Sequence, residues 1–215
     1  MNIAVVTPEV ALADAVHEAS AQATETGPAP KRIVAGFGFW VFLLSDIVMF
    51  AALFASYAVL VNSTAGGPGG AQLFRQVTVA IETACLLASS YTCGLMWLAV
   101  NAGRRRAFYI AAVVTFVFGA AFLALEVREF ADMIARGATP QSSAFLSAFF
   151  TLVGCHGLHV TAGLLWLVVM MAQVAVKSFR PTVVRRLLCF SLFWHALDII
   201  WVALFTVVYL MGVRS

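Results

Sequence analysis

Five stretches of this chain are each long and apolar enough to cross a bilayer, and nothing else in it constrains the fold as much. They fall at about 33–61, 74–100, 107–136, 142–176 and 185–212. Inside hydrocarbon every backbone N–H and C=O must be satisfied within its own segment, so an isolated run of roughly 20 apolar residues has to be a helix. The expected fold is therefore all-α, an integral membrane bundle of five transmembrane helices spanning 33–215. A cytoplasmic tail over 1–32, mobile or weakly helical, precedes it. Composition agrees, since 62% of the residues are hydrophobic and 11% charged, against roughly a quarter charged in soluble domains.

The breaks between the runs are punctuated by turn formers. Asn62–Gly70 reads NSTAGGPGG, Asn101–Arg106 reads NAGRRR, Gly137–Pro140 is a short turn, and Lys177–Arg186 carries Pro181 with four positive charges. The tail is Ala/Thr/Glu-rich, with Pro28 and Pro30 near its end. It lacks the basic start and long apolar core of a secretory signal. If five helices alternate, Lys31, Arg32, Arg104, Arg105, Arg106, Lys177, Arg180, Arg185 and Arg186 share one side. Arg75, Arg136 and Arg214 flank helix ends on the other, with Arg128 inside the third run. The positive-inside rule then predicts a cytoplasmic amino terminus and an outward carboxyl terminus. The Arg104–Arg105–Arg106 triplet has two compatible readings, a topology signal and a site that attracts anionic phospholipid headgroups.

Ionisable residues inside the runs are the main functional signal. Six of the ten acids lie there, Asp46, Glu82, Glu126, Glu129, Asp132 and Asp198, with His156, His159 and His195. Each costs at least about 2.5–3.5 kcal/mol to insert, so each is expected to face protein or water. At about 1.5 Å per residue, Asp46 and Asp198 lie about 20 Å from the cytoplasmic helix ends, with His195 somewhat shallower. Glu82, Glu126 and His159 fall at about 25–30 Å, with Glu129 and His156 nearer the outer surface. Two layers are expected: Asp46 with His195 and Asp198, and Glu82 and Glu126 with the His156/His159 pair.

Three uses of these groups remain open on spacing alone: a hydrogen-bonded buried polar network, a proton pathway, and a metal site. His156/His159, Glu126/Glu129 and His195/Asp198 each share a helix face. Di-iron bundles, however, use Glu-x-x-His on one helix, and here the two residue types sit on different helices. No metal is expected. Haem ligation between the fourth and fifth runs would need imidazoles at matched depth, and these differ by roughly 10 Å. Cys85, Cys93, Cys155 and Cys189 all lie in apolar runs without a C-x-x-C pair, so small apolar packing is expected of them. Ala51/Ala55, Ala52/Ser56 and Ala120/Ala124 are small-xxx-small pairs that suit close helix contact. Trp97, Trp166 and Tyr209 lie towards helix ends as interfacial anchors, while Trp194 and Trp201 flank Asp198 and are expected inside the bundle.

Two strings carry a resemblance. FLSAFFTLVGCHGLHVTAGLLW (Phe145–Trp166) and SLFWHALDIIWVALFTVVYLMG (Ser191–Gly212) resemble the last two helices of subunit III of haem–copper respiratory oxidases. FGFWVFLLSDIVMFAALFASYAVLVNSTAGGPGG (Phe37–Gly70) is similar to the first helix and outer loop of the bacterial bo-type ubiquinol-oxidising branch. The likeness covers essentially everything after residue 32. It implies a five-helix accessory subunit that lacks the first two helices of the seven-helix form and sits in the bacterial inner membrane. It implies no catalytic residue and no cofactor in this chain. The haems and copper belong to a partner, subunit I, which with the other oxidase subunits and membrane phospholipids makes up the expected partners; no nucleic acid is expected. The family's carbodiimide-reactive glutamate after serine corresponds here to Ser45-Asp46, one methylene shorter. Glu126 and Glu129 match the family's paired acids, and His156, His159, His195 and Asp198 match its histidine and aspartate positions. The resemblance implies support of proton uptake and protection of subunit I during turnover. A cytochrome c oxidase subunit III and, more distantly, a stand-alone proton or ion transporter are the alternatives, though no internal repeat of the transporter kind is present.

Overall fold

A computed structural model describes residues 31–66 and 75–210. The described chain is helical throughout, with no strand among the described residues. The elements are α1 (Lys31–Leu60), α2 (Gln76–Asn101), α3 (Arg105–Ala135), α4 (Ala144–Lys177) and α5 (Pro181–Leu204), the last continuing as a π-helical segment Phe205–Leu210. Five of these helices are long and apolar enough to cross a membrane. Most of the expected tail, the loop residues Gly67, Pro68, Gly69 and Gly70, and Arg214 lie outside the described residues.

Local chemistry explains the boundaries. α2 stops where Gly103 takes φ +65°, which lets Arg104 N–H donate to the Ala99 carbonyl at 2.9 Å. α3 ends the same way, with Gly137 at φ +79° and Ala138 N–H donating to Met133 at 3.0 Å. Both are left-handed helix stops that favour glycine. The Ser143 hydroxyl caps α4 by accepting from Leu146 N–H at 3.2 Å, and Pro181 begins α5, where its missing N–H costs nothing.

From Gly38 onward the described residues form one compact unit. α2, α3, α4 and α5 form a four-helix ring in which each sequential pair packs together and α5 closes back on α2. Lipid chains are as apolar as leucine, so the ring is held by close packing and interhelical hydrogen bonds. Thr92 and Thr115 hydroxyls join α2 to α3 at 2.8 Å. The Trp194 and Trp201 indoles of α5 donate to Ser89 at 3.1 Å and Thr83 at 3.0 Å on α2. Tyr109 of α3 donates to the Met171 carbonyl of α4 at 3.1 Å. Such bonds contribute about 0.6 kcal/mol each in membranes.

Glycines admit the large rings. Trp194 wedges between Gly119 of α3 and Gly163 of α4, where a Cβ would stand 3.0 and 2.8 Å from its ring atoms. The alanine pairs predicted to mark close contacts do not do so within this chain, because Ala51, Ala52, Ala55, Ser56 and Ala124 are all exposed.

α1 lies outside the ring, against α4. Its inward stripe is Leu43, Phe50 and Tyr57, seven residues apart and each at most 3% exposed. Phe39 meets Trp166 at 5.9 Å between ring centroids, Phe50 meets His159 at 5.3 Å, and Tyr57 meets Phe145 at 6.0 Å. Long aromatic side chains thus bridge α1 to α4, and most of its remaining surface is exposed apolar residues.

Candidate functional site: buried polar clusters between the helices

The intramembrane ionisable groups fall into three places. The first is a carboxyl cluster at the end of the ring away from the arginine triplet. Glu82 comes from α2, and Glu126 and Glu129 come from successive turns of α3; they are 0, 2 and 7% exposed. Each of the two α3 acids has a Glu82 or Glu129 carboxyl, or the Asp132 carboxyl, among its charged neighbours. Tyr209, on the π-helical segment, donates to Glu129 Oε2 at 3.4 Å. Glu126 lies flat against the backbone of α4, where a Cβ on Gly157 would stand 2.6 Å from Oε1. Both Glu82 oxygens, Glu126 Oε2 and Glu129 Oε1 have no hydrogen-bond partner among the described residues. A cavity of about 160 Å³ reaches the cluster from the same end, lined by Arg75, Arg128, Glu129, Asp132 and Arg136 among others.

Beside this cluster, one residue from Gly157, the His156 ring is fully buried. It lies tilted against Trp201 at 5.1 Å and makes T-shaped contacts with Phe122 at 5.8 Å and Phe50 at 6.3 Å. Both of its ring nitrogens are without a hydrogen-bond partner among the described residues. His159, a turn away, is turned towards α1 and bonds through Nδ1 to the Cys155 carbonyl of its own helix at 2.7 Å.

The second place is mid-membrane on the opposite flank. Ser90 Oγ of α2 and His195 Nδ1 of α5 are hydrogen-bonded at 2.7 Å, and Asp198 lies beside the same hydroxyl and imidazole. The third is Asp46 on α1, whose charged environment is shared with Cys155 of α4.

The expected layer of Asp46 with His195 and Asp198 is therefore not what forms. Depth along a helix gives height but not direction around the bundle. At one height, Asp46 faces α4 while His195 and Asp198 face α2. The other expected layer also divides, because the carboxyl cluster recruits Tyr209 while the histidines turn to aromatic neighbours. Tyr209 itself is no interfacial anchor: it is 1% exposed. Ser90, Thr83, Ser89 and Gly157 escaped notice because small polar and small apolar residues are common in membrane helices and carry no periodic mark. Asp132 is exposed and pairs with Arg136 at 4.0 Å. Of the arginine triplet, Arg105 donates to the Val174 carbonyl at 2.8 Å and so closes the end of α4. Arg104 rims an apolar groove of about 480 Å³ between α2 and α3, with Leu98, Ala107 and Ile110 along it, and Arg106 is exposed.

Chemically, the cluster gathers three carboxyls and a phenol, of which Glu129 also lines the polar cavity. They do not form a metal site: no group of three His, Cys, Asp or Glu side chains among the described residues is placed to hold a metal ion. All four cysteines are free thiols.

Fold and clusters together define a polytopic helical membrane protein with ionisable side chains between its helices. Comparison narrows the class. The model of the family described as cytochrome c oxidase subunit III matches residues 2–213, and the chain belongs to that family. It is 53% identical over 176 residues to the cytochrome bo(3) ubiquinol oxidase subunit 3 of Pseudomonas aeruginosa, covering 82% of this chain and 84% of that one. The quinol oxidase subunit 3 of Bacillus subtilis is 41% identical over 175 residues, 81% of this chain and 86% of that one. The cytochrome c oxidase subunit 3 of another Bacillus is also 41% identical over 175 residues, 81% and 84% of the two chains.

Proposed function

We propose that this chain is the accessory subunit III of a terminal quinol oxidase, which packs beside a haem- and copper-bearing catalytic subunit I and itself carries out no redox step. The observation that carries the reading is the 53% identity to a ubiquinol oxidase subunit 3, against 41% for the cytochrome c oxidase relative. The arginine-rimmed groove between α2 and α3 supports retention of phospholipid, whose headgroup would meet Arg104 and whose acyl chains would follow the leucine and isoleucine wall. The buried carboxyl cluster, with the half-buried Ser90–His195–Asp198 group and Asp46, supports a role in stabilising the assembly and assisting proton supply to subunit I.

The test is purification from native membranes through a tag on this chain. Haem absorbance and copper should accompany it, with oxygen consumption driven by ubiquinol, whereas the chain expressed alone should be colourless. Activity with reduced cytochrome c in place of quinol would move the chain to the other branch of its family. Absence of any haem-bearing partner would refute the reading.

The orientation proposed is amino terminus in the cytoplasm, carboxyl terminus outside, from nine basic residues on one side against three near helix ends on the other. A periplasmic-type reporter fused after Ser215 should be active and a cytoplasmic-type one silent; the reverse pattern would invert the assignment.

A further inference from the structure

We propose that Glu82, Glu126 and Glu129 form a proton-holding site, in which Glu82 and Glu126 are carboxylic acids and Glu129 exchanges protons with water at the end of the ring away from the arginine triplet. That end is the outer one in the orientation proposed above. Glu82 and Glu129 each lie six residues from the ends of their helices there, about 9 Å by the rise of an α-helix, and Glu126 lies about 14 Å inside. The site is thus about two turns deep.

The hydrogen bonds call for protons. Glu82 is wholly buried, and both of its oxygens lack a partner among the described residues, as do Glu126 Oε2 and Glu129 Oε1. An ionised carboxylate only accepts, so three of them together would leave every one of these atoms unmet. A carboxylic acid brings its own donor. The Tyr209 hydroxyl donates to the other oxygen of Glu129, and α4 presents a glycine, Gly157, where Glu126 touches it. His156, the titratable group on α4 beside the site, has no described partner at either ring nitrogen. Charge gives the same answer. The charged neighbours of Glu126 are Glu82 and Glu129, and that of Glu82 is Glu129. Three negative charges would be confined where neither water nor hydrocarbon solvates them.

Glu129 is the member that meets the outside. It is three residues from Glu126, on the same face of α3, and it lines the cavity of about 160 Å³ with Arg75, Arg128, Asp132 and Arg136. Those four charged residues are exposed, and their net positive charge suits an ionised Glu129. A proton from a hydronium ion in the cavity joins that carboxylate, which leaves water and a neutral acid; release runs in reverse. Hydrogen bonds among the three carboxyls carry the exchange inwards.

The inference deepens the proton-supply part of the proposed function by naming the groups and the side from which they fill. Its test is infrared absorption of the complex purified from native membranes near neutral pH, where the carboxylic acid stretch reports protonated carboxyls alone. Glu82→Gln and Glu126→Gln should each remove part of that absorbance. Should either fail to accumulate, Glu82→Asp and Glu126→Asp keep the acid and should move its frequency. In heavy water the wild-type absorbance should shift, and Glu129→Gln should slow the shift by about tenfold or more, with Glu129→Asp restoring it. Absorbance and frequency unchanged in the Glu82 and Glu126 variants, or wild-type exchange in Glu129→Gln, would overturn the proposal. The absorbance is read whether or not haem accompanies the chain, so failure of the quinol oxidase reading and failure of the proton site are told apart.

Discussion

Gly163→Val should prevent the bundle from accumulating as a monodisperse species, and Gly163→Ala should lower its melting temperature in detergent more than Gly119→Ala does. A Cβ at 163 meets Trp194 Cζ3 at 2.8 Å and Cε3 at 3.1 Å, with Phe193 at 3.2 Å; at 119 the nearest atom, 2.9 Å away, is the terminal methyl of Leu164, and the indole Cη2 and Cζ2 stand slightly farther off than at 163, at 3.0 Å. The leucine methyl swings aside at small cost. The indole is rigid, 2% exposed, and tied to Ser89. Overpacking a core costs about 1–3 kcal/mol where neighbours yield, and here the two further carbons that valine adds beyond Cβ find no yielding neighbour. Trp194→Phe shrinks the wedge, so Gly163→Ala should be less damaging in that background, with a coupling of about 0.5–3 kcal/mol expected of residues in contact. Fluorescence-detected size exclusion after heating measures all five variants, the double one included. Wild-type elution and melting for Gly163→Val would disprove the wedge.

The second large effect is at the carboxyl cluster. Gly157→Ala puts a methyl group 2.6 Å from Glu126 Oε1 and 3.0 Å from Oε2, and the acid has little room to retreat in a buried space shared with Glu82 and Glu129. We expect destabilisation of about 1–3 kcal/mol, read as an earlier thermal transition. Steric and electrostatic causes separate cleanly. Glu126→Gln keeps the size of the side chain and should not rescue Gly157→Ala, whereas Glu126→Ala opens space and should. Equal rescue by glutamine and alanine would mean that charge, not volume, sets the contact. The cluster would then need a different account.

These two sites mark the boundary of what the amino-acid sequence discloses. The five helices are legible because hydrocarbon permits no other backbone solution, and their ends because Gly103, Gly137 and Pro181 have few alternative uses. The membrane-buried acids and histidines are legible as a set because each is expensive. Which of them meet is a question of azimuth, and an even coating of apolar residues around a membrane helix leaves no amphipathic stripe to reveal it. That is why Asp46 and Asp198 share a height and not a neighbourhood. Glycines 119, 157 and 163 lie in apolar runs rich in small residues, and only the rings and carboxyl they admit distinguish them from Ala51 or Ala55. Tyr209 was placed at the interface on its position near a helix end, because nothing in FTVVYL announces a change of helical register.

That change of register has a consequence for how this chain can vary. From Phe205 to Leu210 the backbone winds as a π-helix, taking in more residues per turn than the α-helix before it. Each α-helical residue advances the side-chain direction by about 100°, so the direction of Tyr209 is set by counting. A deletion of one residue in the segment would let α winding resume, and the larger advance per residue would nearly make up for the lost step, so the phenol would stay close to its present direction; an added residue has no such slack to draw on. Substitutions at the exposed Thr206 leave the count intact. In heredity, then, this stretch should accept the loss of a single codon more readily than the gain of one.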